Sequence, residues 1–374
     1  MSRRRIAIVG AGIGAEHLEG WLASPERFEI GLVCDLDEAR AAPLVARARA
    51  SGSGDARFER SLERAIADPA IDVVDVCLPP RLHRDAILAA LAAGRHVVCE
   101  KPLVASLAEA DEVAAAATAS GRLVMPVFQY RFGAGLGTLC RLVDEGLAGK
   151  PLVATLETHW NRQSDYYAVA WRGRWATELG GAIVGHAIHV HDLLSRVLGP
   201  VSRVQARLAT RVNEIEVDDC AAILLEMASG ALVTSSVTLG SAEDRSRLRF
   251  CFAGLSAESG VEPYNPAAGE WRFVARGPEG ARGEAQAAID AVVAGEEAHA
   301  DRFARQFELF DEALAGRGVL PVTLEDARAS LELITAIYAA DESGRSVALP
   351  IGRDAKGYGD WGASRQGVAG RASG

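Results

Sequence analysis

The run Gly10-Ala11-Gly12-Ile13-Gly14-Ala15 follows the apolar stretch 5–9 directly and opens a helical pattern. Its spacing is G-x-G-x-x-A, which suits a loop that must wrap a pyrophosphate. Gly10 permits the tight turn, Gly12 lets the backbone approach the phosphates, and Ala15 keeps helix and strand close. The first helical amides then point at the ligand, where the helix dipole favours negative charge. Gly10, Gly12, Ile13 and Gly14 are therefore the candidate phosphate contacts. Asp35 ends the next apolar run, 20 residues after Ala15. A carboxylate there accepts hydrogen bonds from both adenine-ribose hydroxyls and repels a 2′-phosphate, which favours NAD over NADP. It can also cap the helix that begins after it, and the two roles are compatible. The same glycines could form a tight turn in a flavodoxin-like domain with no dinucleotide. Strand, loop and acid together favour the cofactor.

Two further strand ends carry chemistry. One is Leu78-Pro79-Pro80-Arg81-Leu82-His83 and the other is Glu100-Lys101-Pro102. In open α/β sheets ligands bind beyond the carboxyl ends of strands, so Leu78, Pro79, His83, Glu100 and Lys101 are placed to meet a cofactor. Alcohol oxidation needs a base for the hydroxyl proton while hydride leaves carbon. A free lysine, with a pKa of about 10.4, is a poor base at neutral pH. Burial and the positive charge of oxidised nicotinamide both disfavour its charged form. In the reverse direction the ammonium would protonate a developing alkoxide. The plain alternative is a surface lysine in a β-to-α turn.

Three of the eight histidines crowd into one helical pattern as His186, His189 and His191. At 100° per residue, His186 and His189 fall within about 60° of each other, whereas His191 points some 140° from His186. Three ligands on one straight helix cannot converge with the third on the far side, so no metal is expected. The first two histidines would then face a site while His191 packs elsewhere; core or interface roles for all three stay open. A second cluster is Trp160-Asn161-Arg162 with Asp165-Tyr166-Tyr167 and Trp171-Arg172-Gly173. Rings that cover C–H faces beside polar tips suit a polyhydroxylated or carboxylated ligand. Packing of those rings on their own sheet or on a neighbouring subunit fits equally.

The elements that must hold these groups fall into two patterns. Strand candidates at 5–10, 28–35, 73–79, 96–100 and 123–129 alternate with helical stretches at 14–24, 36–50, 60–67, 82–93 and 106–119. Strands without polar alternation are covered on both faces, which predicts a parallel, doubly wound Rossmann-type sheet. Beyond residue 150 come partly alternating segments at 151–160, 201–213, 219–227, 231–239 and 245–253, read as an antiparallel sheet. One helix at 178–198 interrupts them, and two more follow at 301–316 and 323–343. The expected division is a cofactor-binding domain over 1–126, an α+β domain with a large, mostly antiparallel open sheet over 127–350, and a mobile, glycine-rich tail over 351–374.

Composition excludes several classes. A chain of 374 residues exceeds what one core usually serves, so two domains are expected. Its formal charge of −10 would repel a phosphate backbone, which argues against a nucleic-acid partner. No run approaches the ~18 apolar residues of a membrane span. The six cysteines form no C-x-x-C pair and sit mostly in apolar runs, and residues 1–10 lack the apolar core of a secretory signal. A reducing, cytoplasmic compartment is expected.

Taken in order, the glycine loop, Glu100-Lys101-Pro102, Gln129-Tyr130-Arg131-Phe132, Asp144-Glu145-Gly146 through Gly149-Lys150-Pro151, Gly180-Gly181-Ala182 through His189 and Asp192, and Val347-Ala348-Leu349-Pro350 resemble the glucose–fructose oxidoreductase / inositol dehydrogenase / MocA family over about residues 4–350. The resemblance implies an NAD-dependent oxidoreductase acting on a secondary hydroxyl of a sugar, cyclitol or sugar-acid-like substrate. It places Lys101 beside nicotinamide and substrate, often with a cis bond before the proline, and makes His189 the partner in proton relay. Many members carry an aspartate four residues before that histidine; here the position is Gly185, and His186 is the expected stand-in. Gln129, Trp171 and Arg172 are implied cofactor contacts. Arg131, Asn161, Arg162, Tyr167 and His189 are implied substrate contacts, and His186, which the resemblance does not reach, is expected beside them because it shares the helix face of His189. The open sheet implies a homo-oligomer, a dimer or tetramer. Some members instead break glycosidic bonds through an internal redox cycle on tightly held NAD, and others are non-catalytic sugar-sensing proteins.

Overall fold

The computed structural model describes residues 3–295, 300 and 302–362. The chain forms two compact units, Met1–Gln129 with Ala300–Arg328, and Tyr130–His299 with Ala329–Gly374. The first opens with β1 (Arg4–Val9), α1 (Gly14–Leu22), β2 (Phe28–Cys34), α2 (Glu38–Ala50), β3 (Arg57–Glu59) and α3 (Leu62–Ala67). It continues with β4 (Val73–Val76), α4 (His83–Ala92), β5 (His96–Cys99), α5 (Leu107–Ser120) and β6 (Val124–Pro126). All pairings are parallel, in the order β3-β2-β1-β4-β5-β6. This is the doubly wound order expected from the continuous apolar runs, and it puts the glycine loop and the residue 78–83 turn beside each other where the strand order reverses. Local signals set the helix ends. Ser106 accepts the Glu109 amide at 3.1 Å while Glu109 accepts the Ala105 amide at 2.9 Å, a reciprocal cap that starts α5.

The second unit contains α6 (Ala134–Asp144), β7 (Pro151–Asn161), α7 (Trp175–Glu178), α8 (Ile188–Leu198), β8 (Val201–Ala209), β9 (Cys220–Met227), β10 (Leu232–Thr238) and β11 (Gly240–Phe252). β12 (Leu255–Glu258), β13 (Arg272–Ala275) and α9 (Glu279–Ala294) follow. The chain then runs through α10 (Arg302–Leu314), α11 (Leu324–Ser343) and β14 (Val347–Ala348). Eight strands make one sheet in the order β13-β12-β11-β7-β10-β9-β8-β14, antiparallel except for β10 against β7. Buried and exposed residues alternate along β9 and β10, so one face is covered and the other is open.

Three expectations need correction. The helix at 301–316 is α10, and it packs in the first unit, not with the second sheet. Phe303, Phe307 and Phe310 are buried, and Phe307 stacks on Trp21 of α1 with centroids 3.7 Å apart. An amphipathic stripe announces that it will be buried but not against which sheet. The expected tail is ordered at its start, because Trp361 is buried and donates to the Leu179 carbonyl at 2.8 Å. The rest of that tail, 363–374, lies outside the described residues. The expected straight helix at 178–198 is broken into α7, a π turn at Ile183–Ala187 and then α8.

Candidate active site

At the carboxyl end of β1, Gly10 has φ +103° and a Cβ there would lie 2.4 Å from the Cys77 carbonyl oxygen, so only glycine makes this turn. The close helix–strand approach falls one residue earlier than the motif predicts. A Cβ on Gly14 would meet Ile8 Cγ2 at 2.8 Å, whereas Ala15 is exposed. No side chain caps α1, whose N-cap is the exposed Ile13. Its first amides therefore lack a side-chain acceptor, a place an anion can fill. Asp35 holds this loop from the side: its Oδ2 accepts the Ala11 amide at 2.8 Å and its Oδ1 accepts the Asp37 amide at 2.9 Å. Asp37, not Asp35, is the cap of α2. Sequence reasoning missed Arg40, whose Nη2 would lie 3.3 Å from a Cβ on Gly12. It falls on α2 at no motif spacing, and it brings a cation to a loop that carries none.

Beyond β4 and β5, the His83 ring bridges two turns, with Nδ1 2.9 Å from the Pro102 carbonyl and Nε2 2.7 Å from the Leu78 carbonyl. Burial outweighs the pull of both carbonyls and holds its pKa below the ordinary value, so the neutral ring donates to one of them at a time. The structure thus uses His83 to tie the turns that carry Leu78-Pro79 and Lys101. The Lys101–Pro102 bond is cis, and the Lys101 amide donates to Glu100 Oε2 at 3.0 Å. Gln129 is buried, and its Oε1 has no hydrogen-bond partner among the described residues. Such an acceptor in this unit suits a ligand donor.

In the second unit, the π turn changes the angular argument. His186 packs on Trp160 at 4.8 Å and lies 3.4 Å from the Tyr166 hydroxyl. His189 stacks on Tyr130 with centroids 4.2 Å apart. His191 bonds Ser235 of β10 at 2.9 Å, turned away as expected. Arg172 lies over the Tyr166 ring at 3.8 Å and beside Trp171 at 4.7 Å, which joins both to the His186 cluster. Two arginines expected at the substrate are engaged by carboxylates. Arg131 forks on Asp192 at 2.7 and 2.6 Å, the pair almost fully buried. Arg162 contacts Asp244 at 2.9 Å and the Tyr264 hydroxyl at 2.9 Å. Asn161, Arg162 and Tyr167 nevertheless line one open cavity of about 680 Å³ with Asn213 and Glu214, within the ~300–1,000 Å³ of small-molecule sites. Asp219 shapes its far wall by accepting the amides of Arg211, Val212 and Asn213 at 2.6–2.8 Å.

Comparison with known proteins gives this arrangement a family. Residues 4–128 match the oxidoreductase family with an NAD-binding Rossmann fold, and residues 137–256 match the GFO/IDH/MocA C-terminal domain. The chain belongs to the GFO/IDH/MocA family. It is 26% identical over 368 residues to the 1,5-anhydro-D-fructose reductase of Ensifer adhaerens, covering 93% of this chain and 99% of that one. It is 28% identical over 219 residues to the levoglucosan dehydrogenase of Pseudarthrobacter phenanthrenivorans, spanning 57% of this chain and 56% of the relative. The WlbA dehydrogenase of Chromobacterium violaceum, solved with NADH and UDP-GlcNAcA, superposes with a TM-score of 0.80 at 27% identity, covering 94% of this chain and 97% of that one.

The cofactor of this GFO/IDH/MocA protein is NAD. The residues present fit it: a loop where a Cβ at position 10 would collide, an uncapped helix start, and the carboxylate of Asp35. The family aspartate missing at Gly185 leaves room that another acid borders. A Cβ at 185 would lie 3.9 Å from Glu178 Oε1, and Glu178 is buried, accepting the Gly173 amide through Oε2. Glu178 was not legible in the sequence, since it sits seven residues upstream, where the helix is interrupted between α7 and the π turn. Among the described residues, no helix is long and apolar enough to cross a membrane.

Proposed function

We propose that the chain oxidises a secondary hydroxyl of a sugar, cyclitol or sugar-acid-like molecule. When bound, NAD supplies the hydride acceptor. The amides of the Gly10–Gly14 loop hold its phosphates and Asp35 holds its adenine ribose. Lys101 takes the hydroxyl proton at Nζ in oxidation and returns it in reduction, and His189 exchanges that proton with it. His186, Tyr167 and Asn161 orient the substrate's other hydroxyls, and Trp171 and Arg172 contribute to the cofactor site. The observation that carries this reading is Lys101 directly after β5, tied through the Pro102 carbonyl to His83 and through its amide to Glu100, in the unit that carries the glycine loop. Related proteins named for levoglucosan and 1,5-anhydro-D-fructose support the substrate class. The protein works in a reducing, cytoplasmic compartment as a homo-oligomer joined through the open face of its second sheet.

The test is absorbance. Purified protein with NAD⁺ is screened against levoglucosan, UDP-GlcNAcA, cyclitols and aldonates, and with NADH against 1,5-anhydro-D-fructose. Stoichiometric NADH formation or consumption is expected with one class. Turnover of a glycoside with no net NADH would move the protein to the internal-redox reading, and tight binding without turnover to the sensor reading.

A further inference from the structure

His17 of α1 is fully buried, and both ring nitrogens are engaged by carboxylates. Nδ1 lies 3.0 Å from both oxygens of Asp75 on β4, and Nε2 lies 3.0 Å from Glu100 Oε1. Asp75 is held in turn by the Trp21 indole N–H at 2.7 Å. The other oxygen of Glu100 accepts the Lys101 amide at 3.0 Å. Phe303 and Phe307 of α10 close the remaining side, their rings 4.5 and 5.6 Å from the imidazole. Only a doubly protonated ring can donate to both carboxylates at once, and two buried carboxylates without a cation between them would be costly.

We propose that His17 is a positioning residue for Lys101: as an imidazolium clamped between Asp75 and Glu100, it fixes the Glu100 carboxylate and so sets the placement and the electrostatic surroundings of the lysine. The proposal rests on the acid/base role given to Lys101 above. The titratable groups facing His17 are Asp75 on β4, Cys77 just after β4 and Glu100 just after β5; α10 contributes apolar rings. Burial, the largest single influence, would by itself strip the His17 proton, but Asp75, through its charge and its hydrogen bond, and Cys77 together outweigh it and hold the ring protonated well above its ordinary value. Burial opposes ionisation of Glu100 too, and there His17 and the charge of Lys101 prevail. Glu100 thus has two cations to serve, one buried and one at the site. His17, Asp75 and Cys77 also bring ligand-type atoms within 4.8 Å of one another. A metal is not needed to explain them, since hydrogen bonds use the same atoms and burial with Asp75 pushes the Cys77 thiol up to about 12.

The test reads Lys101 without any substrate. The sequence holds only three lysines, Lys101, Lys150 and Lys356, so acylation of each can be followed by peptide mass spectrometry, with the exposed Lys356 as internal reference. The rate against pH gives the midpoint at which Lys101 loses its proton. In H17Q the Glu100 carboxylate faces Lys101 without its buried cation, so the midpoint should rise by about 1 pH unit. In E100Q it should fall. A folded H17Q protein whose Lys101 midpoint is unmoved or lowered overturns the proposal, which a purely structural role for His17 would produce. Should H17Q fail to fold, nitrogen-15 spectra of the unsubstituted protein decide: two ring N–H protons on His17 at about pH 8 support the clamp, and a neutral ring refutes it. A Lys101 that titrates as expected in a protein that reduces no NAD⁺ would refute the proposed reaction while leaving the clamp in place.

Discussion

The Asp35 carboxylate accepts the Ala11 amide at 2.8 Å and so fastens the end of β2 to the glycine loop. The same group is the one proposed to hold the adenine ribose, and Arg40 Nη2 reaches to 3.3 Å from where a Cβ on Gly12 would lie. Loss of Asp35 therefore removes a loop brace and an anion that repels a 2′-phosphate, while a cation remains. For D35S, NAD affinity should fall by roughly 10–100-fold, matching about 1.5–3 kcal/mol for hydrogen bonds to a charged group. Binding of NADP should improve relative to NAD. Fluorescence titration with both reduced cofactors checks this, and an unchanged preference would count against the ribose role.

Replacing Lys101 by alanine should lower kcat by about 10²–10⁴-fold, the usual contribution of a positioned acid/base. NAD binding should persist, because the phosphate site is built from backbone and Asp35. Turnover close to that of the unsubstituted protein would sink the mechanism.

Burial pushes His191 down to about 4, so the folded protein holds it neutral against Ser235. A depressed basic pKa gives stability that is fully present above the ordinary 6.5 and is lost as pH falls through about 4. The shift corresponds to a loss on the order of 3 kcal/mol across that window. In H191Q, which cannot titrate but can still meet Ser235, the fall in Tm between those pH values should flatten. Calorimetry from pH 4 to 8 gives the comparison, and parallel curves for the two proteins would contradict the assignment.

Leu224 and Leu232 are 54% and 59% exposed on the same open face of the second sheet, beside Val153, which pairs with Leu232. Three neighbouring apolar side chains on an uncovered sheet are where a second copy would dock. The double variant L224D/L232D should shift the protein toward monomer in sedimentation velocity with its fold retained by circular dichroism. An identical oligomer in that variant would place the interface elsewhere.

The first unit was largely legible because its signals are local. Unbroken apolar runs in 5–10 and 73–79, the glycine spacing and the acid at Asp35 each report a backbone requirement that neighbours in sequence satisfy. The lysine at the end of β5 was legible for the same reason, since strand, charge and proline are adjacent. Tertiary structure alone decided the rest. It returned α10 to the first unit through Phe303 and Phe307, and it made Gly14, not Ala15, the point where α1 meets β1. It replaced an ideal helix by a π turn under His186, and it spent Arg131 on Asp192. It also joined His17, Asp75 and Glu100, which lie 58 and 83 residues apart from the histidine along the chain. Periodicity states that a face or a charge must be covered. Which distant group covers it depends on how the layers pack, and no single segment carries that information.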